Sequence, residues 1–224
     1  MTRIFTVVAA AVLVAAAGAF FWQSSSSHAS FANLGAAHAQ SQDSAEVDTS
    51  IVADMSMGNP DATVTIIEYA SFTCPHCRSF QEGAFKDLKA DYIDSGKVNF
   101  VYREVYFDRF GLWAGMLARC GGEERYFGFV DALYQTQSEW LASRDPATIA
   151  SDLRKLGRTA GLTDEEVDAC LKDQAKAEAL VAVFQENAAA DDINSTPSFV
   201  INGTKYNNMS YSEFKEIIDA ALES

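Results

Sequence analysis

The stretch Val64-Thr65-Ile66-Ile67-Glu68-Tyr69-Ala70-Ser71-Phe72-Thr73-Cys74-Pro75-His76-Cys77 decides the fold. Its first half is short, apolar and β-branched, with Val64, Ile66, Ile67 and Tyr69 in the pattern of a buried strand. Ser71-Phe72-Thr73 closes that run. Cys74-Pro75-His76-Cys77 then opens a helix, because a proline in the first turn lacks an N–H that would be unpaired there anyway. Phe80, Ala84, Phe85 and Leu88 continue the helical spacing. Upstream, Gly58-Asn59-Pro60-Asp61 reads as a turn. Downstream, Val98 to Tyr102 follows Ser95-Gly96 and reads as a second strand.

Further out, residues 107–191 are mostly helical. Leu112, Trp113, Met116, Leu117 and Cys120 fall on one helical face, and Tyr126, Phe129, Val130 and Leu133 form another apolar stripe ending near Trp140. Pro146 starts a helix carrying Ile149, Leu153 and Leu156. Thr163 with Glu166 is a capping box ahead of Val167, Cys170 and Leu171. After Thr196-Pro197, Ser198 to Ile201 is strand-like and Asn202-Gly203 is a hairpin turn signal. Ser210 with Glu213 caps a last helix through Phe214, Ile217, Ile218, Ala221 and Leu222. The order β-α-β, helices, β-hairpin, α predicts an α/β fold: a mixed sheet flanked by helices, interrupted by an inserted all-helical block.

The N-terminal segment differs in character from the rest of the chain. Through residue 45, Arg3 is the only cationic side chain apart from the histidines His28 and His38, and Asp43 is the only acid. Ile4 to Trp22 is a 19-residue uncharged run. This reads as an export leader with Arg3 in its n-region, followed by small-x-small sites at Ser27-His28-Ala29 and Ala37-His38-Ala39. The run is also long enough to span a bilayer, so residues 1–39 are either a signal peptide or a membrane anchor. Residues 40–56 read as a polar, acidic tether leading into one domain over 57–224. With 17 Lys plus Arg against 31 Asp plus Glu, the net charge is −14. No basic footprint exists for phosphate backbones, which argues against nucleic acid as a partner. An exported CxxC would work where disulfides persist, in a bacterial periplasm, either soluble or tethered to the inner membrane.

A CxxC at a helix start has a definite chemistry. Cys74 meets unpaired backbone N–H groups and the positive end of the helix dipole, both of which favour a thiolate. His76 can add positive charge or a hydrogen bond, and Pro75 stiffens the turn. Such settings lower a thiol from ~8.5 into the range ~3.5–7.5. A low value makes Cys74 a good leaving group and its disulfide oxidising, with Cys77 as the buried resolving sulfur. Structural zinc wants four ligands, and the remaining cysteines form no second CxxC. No metal or cofactor is expected. A purely structural Cys74–Cys77 bridge is the other bland reading.

The segment from Val64 to Cys77 resembles the active-site region of DsbA-family thiol oxidoreductases, and Thr196-Pro197-Ser198-Phe199-Val200-Ile201-Asn202-Gly203 resembles the family's cis-proline loop and hairpin. The likeness covers roughly residues 57–222, and the 119 residues between Cys77 and Pro197 leave room for the family's helical insertion. It implies a thioredoxin-like fold and a cis bond before Pro197, which leaves a strand edge beside Cys74 for an extended substrate. Thr196 would tune the sulfurs. It also implies that Glu68 relays protons to Cys77; the plainer reading is a strand carboxylate with a solvent outlet, and Lys97 and Arg103 are its candidate basic partners. Expected partners are reduced, unfolded secreted proteins and a quinone-linked membrane reoxidase, and the chain is expected to act as a monomer. Cys120 and Cys170, both on apolar helical faces of one block and with no other partner left, are expected to be bonded to each other; two free buried thiols are the alternative. A reductase or isomerase for specific clients, and a binding or chaperone module with a permanent bridge, stay open as functions.

Overall fold

A computed structural model describes residues 47–223. The leader expected over 1–39 and the first part of the tether lie outside the described residues. No helix among the described residues is long and apolar enough to cross a membrane.

Five strands form one sheet in the order β1-β3-β2-β4-β5: β1 Met55–Gly58, β2 Val64–Ala70, β3 Val98–Glu104, β4 Ser198–Ile201 and β5 Thr204–Asn207. β2 and β3 run parallel, and the other neighbours pair antiparallel. The tether ends earlier than the sequence suggests. Thr49–Ile51 is a short 3-10 turn capped by Asp48, and Met55 already pairs with Tyr102. The strand Met-Ser-Met-Gly has no β-branched residue, so nothing local marks it; the open edge of β3 recruits it. Gly58 ends it at φ +90°, where a Cβ would strike the Val98 carbonyl.

The parallel crossover from β2 to β3 is one interrupted helical stretch: α1 Pro75–Glu82, α2 Ala84–Leu88 and a π-helical turn Lys89–Ile93, broken at Gly83. Six helices lie between β3 and β4: α3 Arg109–Cys120, α4 Glu123–Gln135, α5 Gln137–Trp140, α6 Pro146–Thr159, α7 Asp164–Leu171 and α8 Gln174–Ala190. Asp108 caps α3 by accepting from the N–H groups of Phe110 and Gly111. Capping boxes form at Thr163 with Glu166 and at Ser210 with Glu213, the latter starting α9 Tyr211–Leu222.

The buried face of α3 is not the expected one. Leu112 and Trp113 are only partly covered, whereas Gly111, Ala114, Gly115 and Ala118 are buried with Met116 and Leu117. α3 packs against α4, α6, α7 and α8 at once. Gly111 leaves room for Ser71 and Thr73 of the active-site loop and Gly115 for the Tyr106 ring, a role that hydropathy alone does not register.

The main core lies on the sheet face carrying Ile66, Phe100, Phe199 and Ile201, under Phe80 of α1 and Phe214 and Ile218 of α9. The rings of Phe80, Phe199 and Phe214 pack with centroids 4.7–5.6 Å apart. On the opposite face Tyr69, Val105, Ile193 and Val200 pack with Phe184 and Ala188 of α8. β4 and β5 are joined by Asn202-Gly203 with φ +45° and +82°, the pattern of a type I′ turn. Asn202 Oδ1 accepts from the Thr65 N–H at 2.9 Å, which pins the hairpin to β2. Glu104 and Arg119 form a buried two-point ion pair at 2.6 and 2.7 Å, tying the end of β3 to α3.

Candidate active site

β2 runs out at Ala70, and Ser71, Phe72 and Thr73 carry the chain to Cys74, the N-cap of α1, with Pro75 at the first helical position. The Cys74 N–H donates to the Ser71 carbonyl at 3.0 Å and closes this turn. The Arg78 N–H donates to the Cys74 carbonyl at 3.2 Å and begins the helix. Both sulfurs are free thiols; Cys74 is partly exposed and Cys77 is buried. The two cysteines therefore differ in access before any charge is considered.

Their acidities diverge as well. The Cys74 thiol is brought down to about 5, chiefly by the hydrogen bond that the Cys77 thiol gives it. The Thr196 side chain and the backbone N–H groups of Cys77 and His76 add to this, against a partial burial that disfavours the charge. His76 itself is exposed, and its part in this set of donors is its main-chain N–H. Cys77 moves the opposite way: burial pushes it up, as do its donation to Cys74 and the negative charges at Glu68 and Cys74.

Thr196 and Pro197 come from 122 positions along the chain to stand beside Cys74. Their peptide bond is cis. As a thiol, Cys74 Sγ donates to the Thr196 carbonyl at 3.4 Å. Thr196 thus offers a carbonyl to the protonated sulfur and a side chain that favours the ionised one.

Glu68 has no solvent outlet; it is fully buried beneath the dithiol. Neither Lys97 nor Arg103 pairs with it. Arg103 is engaged by Asp54 at 2.8 and 3.0 Å and by the Tyr69 hydroxyl at 2.8 Å, and Lys97 lies over the Tyr92 ring. The reason is the strand's period: Arg103 points to the face of β3 opposite Tyr102, and Tyr102 is the residue paired with Glu68. Glu68 Oε2 instead accepts from Gln81 Nε2 of α1 at 3.0 Å, and Oε1 has no hydrogen-bond partner. Burial pushes the Glu68 carboxyl well up, the Gln81 bond opposes this, and charge on Cys74 adds to it. A carboxyl that titrates above an ordinary glutamate is the expected result: the infrared band of the protonated carboxyl that Glu68→Gln removes should outlast those of the exposed carboxyls as pH rises. Loss of that band together with the exposed carboxyls would contradict this picture.

The inserted helices supply residues that sequence reading passed over. Tyr134 of α4 donates to the Ser71 carbonyl at 3.1 Å, and its hydroxyl lies 2.7 Å from that of Tyr102. Gln137 of α5 donates through Nε2 to the carbonyls of Phe72 at 2.8 Å and Cys74 at 3.0 Å. Asp108 accepts from the Thr73 hydroxyl at 2.6 Å. One signal was available: Gln137 continues the stripe of Tyr126, Val130 and Leu133 at helical spacing, so it is a polar residue in phase with an apolar face.

Cys120 and Cys170 are joined in a disulfide with Cα atoms 5.9 Å apart, linking the ends of α3 and α7 within the inserted block. Among the described residues no group of three or more His, Cys, Asp or Glu side chains could hold a metal ion. A cleft of about 760 Å³ between α4 and α6, floored by Phe129, Trp140 and Leu156, includes neither active-site cysteine.

Residues 50–220 match the thioredoxin family. A candidate protein-disulfide oxidoreductase of Rickettsia bellii is 36% identical over 171 residues, covering 76% of this chain and 65% of that protein. The chain spans 60–65% of the length of such Rickettsia relatives. Disulfide bond formation protein D of Bacillus subtilis is 26% identical, covering 82% of this chain and 84% of its own. Among solved structures, alpha-DsbA1 of Wolbachia pipientis superposes with a TM-score of 0.71 at 26% identity, covering 78% of this chain and 96% of its own. On the family match the chain belongs to the thioredoxin family, and within it the likeness is to DsbA-like proteins.

Proposed function

We propose that this chain is an exported thiol:disulfide oxidoreductase that introduces disulfides into reduced, unfolded secreted proteins. The observation that carries the reading is the asymmetry of the two sulfurs: Cys74 is accessible and lowered to about 5, and Cys77 is buried and raised. In the oxidised enzyme a client thiolate attacks Cys74 Sγ and the Cys74–Cys77 bond breaks. Cys77 leaves as a thiolate and takes up a proton, for which Glu68 is the nearby buried source. A second client thiolate then attacks the client sulfur of the mixed disulfide, and Cys74 leaves as a stable thiolate. Two electrons pass from client to enzyme, and the client gains one disulfide. A quinone-linked membrane partner would return the enzyme to its oxidised form.

Export is supported by the uncharged run Ile4–Trp22, and the Cys120–Cys170 disulfide fits an oxidising compartment. Because Cys74 is a low-pKa leaving group, the reduced enzyme is favoured and the pair acts as an oxidant. Equilibration with glutathione tests this. An oxidant should sit well above about −200 mV, towards −120 mV. A value near −270 mV would make the protein a reductase, and one below about −300 mV would leave a structural bridge.

A further inference from the structure

We infer that Gln137 is a positioning residue for the redox centre: by donating both amide hydrogens to the carbonyls of Phe72 and Cys74, it holds the main chain in the curl that aims the Cys74 sulfur at the donors of α1. The inference rests on the reading of Cys74 as the exchanging thiol.

Gln137 is 5% exposed, so its amide has little water to turn to, and a buried amide must be satisfied within the protein. Its Nε2 is committed to two carbonyls that flank Thr73. Two carbonyls so close in sequence converge on one nitrogen only when the chain between them is tightly curled, and the Cys74 N–H to Ser71 bond closes that same curl. The Cys74 carbonyl also accepts from Arg78 and so begins α1. Gln137 therefore grips the point where loop becomes helix. Beyond that point the N–H groups of His76 and Cys77 are left for the sulfur.

The electrostatics act in the same direction. One of the two carbonyls belongs to Cys74, the residue that must carry charge, and the other converges with it on the same Gln137 nitrogen. An N–H donor on each draws the negative end of its dipole away and lowers the cost of the thiolate. Tyr134 on Ser71 and Asp108 on Thr73 hold the rest of the loop, so every residue from Ser71 to Cys74 is tied to α4, α5 or the N-cap of α3. The inserted block is thereby coupled to the chemistry through these hydrogen bonds, and Gln137 is the member that binds the main chain of Cys74 itself.

The test uses the full chain with Gln137→Met, which keeps length and burial but has no donor, and Gln137→Glu, which keeps shape but turns an acceptor toward both carbonyls when ionised. The thiolate ultraviolet absorbance of the reduced protein is titrated, and the equilibrium with glutathione is measured. In Gln137→Met the Cys74 midpoint should rise by about one pH unit and the equilibrium constant should fall about tenfold. Gln137→Glu should move both further in the same direction. A lower melting temperature with both readings unchanged would reduce Gln137 to a structural role and overturn the inference. If the unsubstituted protein itself titrates near an ordinary thiol, ~8.5, the reading of Cys74 as the exchanging thiol fails instead. Should Gln137→Glu not fold, Gln137→Met alone decides the matter.

Discussion

Changing Cys74 to serine is expected to abolish disulfide transfer outright. A serine hydroxyl is not ionised near neutral pH and forms no disulfide, so neither the attack nor the leaving step survives. Cys77→Ser should behave differently. Its Cys74 still attacks disulfide-bonded clients, but no second enzyme sulfur is left to release them, and mixed disulfides should accumulate on non-reducing gels. Iodoacetamide at pH 5 should label Cys74 alone in the reduced protein. With its thiol brought down to about 5, half of the Cys74 sulfurs are thiolate there, whereas Cys77 is buried and protonated. Comparable labelling of Cys77 would reverse the assignment of roles. Restored transfer in Cys74→Ser would remove the dithiol from the mechanism.

The redox state should change the stability of the fold in a pH-dependent way. An unfolded thiol titrates near ~8.5 and the folded Cys74 near about 5, so the folded value is the lower one. The gain in the reduced protein is therefore complete above pH 8.5 and is lost as pH falls through 5. At pH 7 the unscreened bound is about 2.7 kcal/mol, and water around the partly exposed sulfur reduces the expectation to roughly 1–1.5 kcal/mol. The oxidised protein lacks this term. It has instead the pH-independent restriction that a short disulfide ring places on its unfolded chain. The informative quantity is thus the change in the gap between the two states. Between pH 4 and pH 7 the reduced form should gain several degrees of melting temperature relative to the oxidised form. A gap that stays constant over this range would show that the fold does not stabilise the thiolate.

Much of the architecture was legible because it is written at short range. Val64 to Cys77 specifies a strand, a turn and a proline-started helix within fourteen residues. Asn202-Gly203 and the two capping boxes act between neighbours three or four positions apart, and they form where local chemistry puts them. β1 escaped notice for the complementary reason: Met55–Gly58 has weak strand propensity, and its conformation comes from pairing with β3 some forty residues on. The buried face of α3 escaped because Gly111 and Gly115 leave room for the active-site loop and the Tyr106 ring, and small residues such as these and Ala114 and Ala118 register weakly in hydropathy.

The site divides along the same line. From the sequence alone came the two sulfurs, their spacing and their place at a helix start, since three residues of backbone settle all of these. The burial of Cys77 was also expected from that placement; the tertiary structure decided what surrounds each sulfur. Thr196 reaches Cys74 across 122 positions, and Gln137 reaches the Cys74 carbonyl across 63. Glu68 is a plain strand residue in sequence; it becomes a buried acid only once α1 and the inserted helices close over β2. Acidity is set by desolvation and by donors within a few ångströms, and both are properties of packing between distant segments that no local pattern encodes.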